Sequence, residues 1–138
     1  MPNLVLTDAY ISIGGNVMST KANSVSINAS VATQDDTAFG DTTKSNMAGL
    51  KDWSMDVEMN QDYAAADVDS ILWPLLGTTV AIEVRPTSSA VGAGNPKYTA
   101  TGLITSYNPI GGKVGDKAAC KLTLVPGGAT PALTRAVA

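Results

Sequence analysis

Two stretches with an unbroken period of two restrict this chain more than any other feature. In residues 24–31, Val25, Ile27, Ala29 and Val31 alternate with Ser24, Ser26, Asn28 and Ser30. In residues 53–60, Trp53, Met55, Val57 and Met59 alternate with Ser54, Asp56, Glu58 and Asn60. Side chains of a strand point to opposite faces in turn, so each stretch specifies a strand with one apolar face for a core and one polar face for water. Between them, residues 33–49 lack periodicity and carry Asp35, Asp36, Asp41 and Lys44 among Thr, Ser and Gly. Hairpin connections usually run about two to five residues, so this segment is expected to be a long loop that either has a role of its own or is disordered, and not a tight turn.

The same period marks the other strands. Residues 4–13 are rich in β-branched and aromatic side chains and end at Gly14-Gly15, which predicts an opening strand and a turn. Val80, Ile82 and Val84 alternate with Glu83 and Arg85 before Pro86 ends the run. A weaker alternation in residues 97–107 sets Tyr98, Ala100 and Ile104 against Thr99, Thr101 and Thr105, with Gly102 as a bulge site. Residues 108–112, Asn-Pro-Ile-Gly-Gly, are expected to turn the chain into a last strand over residues 118–125. Only after Tyr63 does the period change. Val68, Ile71, Leu72, Leu75 and Leu76 fall on one face of a helix that Ala64 to Ala66 favour, Pro74 tightens and Gly77 stops. From Pro126 on, a Pro- and Gly-rich tail is expected to leave the body of the subunit. The sum is a mainly β fold: an antiparallel β-sandwich or half-barrel of about six strands with one flanking α-helix, in a single domain over residues 1–138.

Composition excludes several classes of function. The 138 residues include no histidine and one cysteine, so His-dependent nucleophilic catalysis, the usual zinc clusters and an internal disulfide lack their residues. Cys120 lies in the alternating run Ala118, Cys120, Leu122, Leu124 and reads as a small buried hydrophobe. Nine Lys and Arg against twelve Asp and Glu leave a net charge of −3, which argues against a basic duplex-binding patch. Asp35, Asp36 and Asp41 lack calcium-loop spacing and read as a solvated or partner-facing acidic loop. Asp56 and Glu58 are two apart on one strand face but have no helper group, so no catalytic residue, metal or cofactor is assigned. The amino terminus has neither the basic region nor the apolar core of a signal peptide, so the protein is expected to be made in the cytoplasm and to be soluble there at least initially.

The order of these segments resembles the tail tube (major tail) proteins of long-tailed, non-contractile bacteriophages and prophages. The matching features are Asp35-Asp36-Thr37 with Gly40-Asp41-Thr42-Thr43, residues 49–58, the Leu72-Trp73-Pro74-Leu75-Leu76-Gly77 helix end, Asn95-Pro96-Lys97-Tyr98 and Leu133-Thr134-Arg135-Ala136. The resemblance implies a structural virion protein that polymerises as stacked, hexameric rings into a hollow tail tube, with a continuous inner β-barrel through which DNA is delivered. It implies further that Ser24, Ser26, Asn28, Ser30, Ser54, Asp56, Glu58 and Asn60 face the DNA channel. Residues 33–49, with Asp35, Asp36, Thr37, Phe39, Asp41 and Lys44, would be an inter-ring loop that orders on assembly. Residues 126–138 would be a C-terminal arm with Leu133 and Arg135 at an interface. Its partners would be further copies of itself, a tape-measure protein, tail-terminator and distal tail proteins, and DNA in transit. The protein would be made in the host cytoplasm and reside in the phage tail. A capsid-decorating or other virion surface protein of similar fold is the alternative. A carbohydrate-binding module is disfavoured because two Trp and one Phe leave few rings for sugar stacking.

Overall fold

The alternating run Trp53, Met55, Val57, Met59 lies in the middle of the subunit and is buried throughout. A computed structural model describes residues 5–137. In chain order the elements are β1 (Tyr10–Ile13), β2 (Asn16–Val17), β3 (Ala22–Asp35), β4 (Asn46–Asn60) and α1 (Val68–Leu72), which runs into a single 3-10 turn (Trp73–Leu75). Then follow β5 (Thr79–Arg85), β6 (Lys97–Gly111), β7 (Ala119–Pro126) and β8 (Thr134–Ala136). All pairings are antiparallel, in the order β2-β1-β5-β6-β7-β4-β3, with β8 on β6 beyond the end of β7. The fold class is therefore the expected one, mainly antiparallel β with one short helix among the described residues.

One apolar face of this sheet is turned inward. Ile11 and Ile13 of β1, Val80, Ile82 and Val84 of β5, Ile104 of β6 and Cys120, Leu122 and Leu124 of β7 join the β4 side chains in one cluster. The twist of a long antiparallel sheet brings its ends toward each other, and Val25 and Ile27 of β3 share a cleft with Val84, Pro86 and Tyr98 from the other half. Val68 and Leu72 of α1 close the open side of this half-barrel. Burial of each such aliphatic side chain stabilises the fold by about 1.5–3 kcal/mol.

The structure departs from the sequence expectations in seven places. Eight strands are present instead of about six, because β2 folds back on β1 across the Gly14-Gly15 turn and β8 is a three-residue piece held by long-range pairing with β6. The opening strand is confined to Tyr10–Ile13, and Leu4, where it was expected to begin, is outside the described residues. The expected loop of residues 33–49 is strand at both ends, where Thr33 pairs with Ala48, Gln34 with Met47 and Asp35 with Asn46, and only residues 36–45 form the connecting turn. The helix is limited to five residues. Asp62 accepts the Ala64 N–H, Ala66 takes a left-handed φ of 62°, and Asp67 caps the Val68 N–H. Two aspartates that satisfy backbone donors outweigh the helix propensity of three alanines. Pro74 sits in the 3-10 turn and Gly77, at φ 82°, ends it, as the sequence indicates.

The remaining three departures lie in the last third of the chain. β6 continues to Gly111, through the segment expected to turn. Its register shifts fall between Ile104 and Ser106 and between Asn108 and Gly111, not at Gly102. The first shift moves the buried parity from Ala100, Gly102 and Ile104 to Tyr107. Finally, the C-terminal segment does not leave the body, for Arg135 pairs with Tyr98 and Thr134 with Thr99, and Leu133 packs against the core. Ala138, the last residue of the expected arm, lies outside the described residues, as do Met1, Pro2 and Asn3.

Candidate functional site

Backbone pairing determines which polar side chains share a surface. In an antiparallel ladder directly opposed residues lie on the same face. β3 and β4 oppose Ser24 with Glu58, Ser26 with Asp56 and Asn28 with Ser54, and Ser30 faces Asp52. Asn60 follows Glu58 by alternation, and its amide oxygen accepts a hydrogen bond from Asn23 Nδ2 at 3.1 Å. All eight residues assigned to one polar face by alternation are thus brought together on it. Those of β3 are exposed, and Ser54, Asp56 and Asn60 are half-buried.

The same face continues across two more strands that sequence reasoning passed over. Asp56 opposes Thr123, which opposes Ser106, and Glu58 opposes Lys121, which opposes Asn108. Two polar rows therefore cross β3, β4, β7 and β6. Thr123 Oγ1 donates to Asp56 Oδ1 at 2.9 Å, tying one row together. The signal was available, because the apolar period of Cys120, Leu122 and Leu124 puts Lys121 and Thr123 opposite. Carboxylates outnumber ammonium groups here, with Asp52, Asp56 and Glu58 against Lys121.

The second surface is an arm. β4 pairs with β7 only over residues 55–60, so its first half pairs with β3 alone and the two strands project beyond the sheet. Every residue from Asn28 to Asp52 is exposed, including Met47 at 54% and Leu50 at 87%. The tip is an ordered turn. Asp35 Oδ1 accepts the Thr37 N–H at 2.9 Å, Thr37 Oγ1 accepts the Ser45 N–H at 2.8 Å, and Asp41 Oδ2 accepts the Ala38 N–H at 2.8 Å. The hydrogen bonds from Thr37 hold the Asp35 carboxyl below its usual range. Asp36 and Lys44 belong to the same turn, and Phe39 stands at its apex with no cover. Among the described residues no group of three or more His, Cys, Asp or Glu is arranged to hold a metal ion.

The base of the arm is anchored. Trp53 Nε1 donates to the Pro131 carbonyl at 2.6 Å, and a groove beside it is lined by Val31, Lys51, Pro126 and Leu133. Of the two residues expected at a C-terminal interface, Leu133 is occupied by the subunit's own core, whereas Arg135 is exposed on β8. Cys120 is buried, and burial, with Asp69 nearby, pushes its thiol up to about 11, so it is a packed hydrophobe and not a nucleophile.

No family model matches the sequence, and no curated protein matches it significantly. Solved structures do match the fold. The chain is similar to one in the tail of an empty gene transfer agent particle of C6 symmetry, with a TM-score of 0.68 and 17% identity over 89% of this chain and 93% of that one. It is similar also to a chain in the virion of a native gene transfer agent particle, with a TM-score of 0.68 and 17% identity over 92% of this chain and 95% of that one. At this identity the likeness is one of fold, and it covers nearly the whole chain.

Proposed function

We propose that this chain is a structural virion protein that assembles as rings, and as stacks of rings, into the hollow tail tube of a long-tailed, non-contractile phage or prophage. The observation that carries the proposal is the arm of residues 28–52, a two-stranded ribbon with no buried residue. An isolated hairpin is marginal in water, and unpaired strand edges invite pairing with another chain. Such a ribbon is best explained as one half of an interface. The fold shared with a chain of a gene transfer agent tail of C6 symmetry, and with a chain of a gene transfer agent virion, supports a tail subunit and a ring of six.

In this reading the polar face of β3, β4, β7 and β6 lines the channel. Ser24, Ser26, Asn28, Ser30, Ser54, Asp56, Glu58 and Asn60 then face DNA, and Lys121 is the only cation among the paired rows described above. Walls without a Lys or Arg ladder provide little counterion release, so a polyanion slides past without being held. The role is mechanical and not enzymatic. A tape-measure protein would fill the tube before ejection, and terminator and distal tail proteins would close its ends. The subunit would be made in the host cytoplasm and end in the virion tail.

Negative-stain electron microscopy of the purified protein at high concentration tests the reading. Hollow tubes built of rings are expected. Free trimers without tubes would replace it with a capsid-decorating role, and a monomer at all concentrations would remove both.

A further inference from the structure

Two exposed features of unlike charge lie at opposite ends of one strand. The tip of the arm, residues 35–45, has three aspartates against one lysine, a net charge of −2. Asp35 and Asp41 each commit an oxygen to a backbone N–H of the turn, which leaves Asp36 as the carboxylate free to meet a partner. Phe39 is fully exposed beside them. At the other end, the turn from β6 to β7 carries Lys113 and Lys117, with Val114 fully exposed and Ile110 77% exposed. Of the carboxylates near this turn, Glu58 shares a cleft with Lys117 and with its cross-strand partner Lys121, and the others are engaged elsewhere. Asp116 accepts the Lys113 N–H, Asp62 and Asp67 both hold Lys21, and Asp69 accepts from the Tyr107 hydroxyl.

The two features cannot meet within one molecule. Asp35 is paired with Asn46 at the start of β4, and Ala119 with Asn60 at its end. At about 3.3 Å per residue this separates them by on the order of 45 Å. Complementary patches that face away from each other at opposite ends form a head-to-tail contact between copies, and such a contact repeats without closing on itself along its own axis. We propose that the arm of one copy docks its tip on the β6–β7 turn of a copy in the next ring, with Asp36 against Lys113 and Lys117 and Phe39 over Val114 and Ile110. This rests on the tube reading and adds to it the surface that receives the arm. Charges at the rim of an interface act mainly on the rate of encounter and its salt dependence, so the signature is kinetic.

The test follows tube elongation by light scattering at about 50 mM and about 500 mM salt, where screening differs severalfold. The samples are the unmodified protein, Asp36→Lys, Lys117→Glu and the double variant, with circular dichroism to check that each is folded. Elongation of the unmodified protein is expected to slow at high salt. Each single reversal should slow elongation about three- to tenfold at low salt, and the double reversal should recover to within about twofold of the original rate. Single variants that elongate normally, or a double variant slower than both singles, would overturn the docking while leaving the tube intact. Unmodified protein that forms no tube in any salt would overturn the tube reading and the docking with it.

Discussion

Trp53 is held from three sides. Its indole N–H reaches the Pro131 carbonyl at 2.6 Å, its backbone N–H donates to Asp52 Oδ1 at 2.8 Å, and its ring edge presses on Gly102. A Cβ at position 102 would lie 2.9 Å from Cη2 of the ring, so glycine is required there for close approach and not for a bulge. Gly102→Ala is expected to destabilise the subunit by about 1–3 kcal/mol through overpacking. Trp53→Phe should cost a similar amount, about 1–3 kcal/mol, by leaving the carbonyl of Pro131 without its donor. Because Phe lacks the clashing atom, the two losses together should fall short of their sum by about 1 kcal/mol. Urea unfolding of the unassembled protein measures this, and strict additivity would mean that ring and glycine do not press on each other.

At the scale of elements, the arm is the part with the least to lose in the monomer and the most to gain in an assembly. It contributes no side chain to the core, and beyond its anchored base only its own ladder and the hydrogen bonds of its tip hold it. Replacing residues 32–50 by Asn-Gly, a pair suited to a two-residue hairpin turn, joins Val31 directly to the strand at Lys51, its cross-strand partner. This variant is expected to unfold within a few degrees of the full chain, about the shift that 1 kcal/mol produces, and to form no tubes. Hydrogen exchange gives the complementary result. Amides of residues 33–49 should exchange fast in the free subunit and slowly in the tube, and equal protection in both states would contradict an assembly role for the arm.

The arm also shows why part of the fold was not legible. A half-buried strand must alternate, because water lies on one side and a core on the other. That condition holds for residues 53–60 and produces their pattern. It fails for Thr33, Gln34, Met47 and Ala48, which are exposed on both faces and so carry no period, although they pair as regularly as the rest. β8 was missed for a related reason. A strand of three residues has too few positions to show a period, and only its partner on β6 makes it one.

For the whole molecule, the consequence of the polar face is a matter of sign. Replacing both Asp56 and Glu58 by Lys would turn rows with more acid than base into rows that attract phosphate. Tubes should still form, since both side chains lie away from the core face of β4, and DNA delivery in an infectivity assay should slow or stall. Unchanged infectivity would mean that this face is not the channel.

The sequence alone was sufficient to assign inward and outward faces on β4, β5 and β7, to bury Cys120, to end the 3-10 turn of Pro74 at Gly77 and to exclude His-based chemistry. Each of these follows from local periodicity or from the inventory of residues, which a chain carries wherever its neighbours lie. The tertiary structure alone decided that residues 24–31 and 53–60 pair directly with each other, and that their ladder runs on into an exposed arm. It decided also that β6 changes its buried parity, that β8 returns to β6, and that Lys121 and Thr123 extend the polar face. Strand neighbours are set by contacts between residues far apart in sequence, and alternation says which way a side chain points but not what lies beside it.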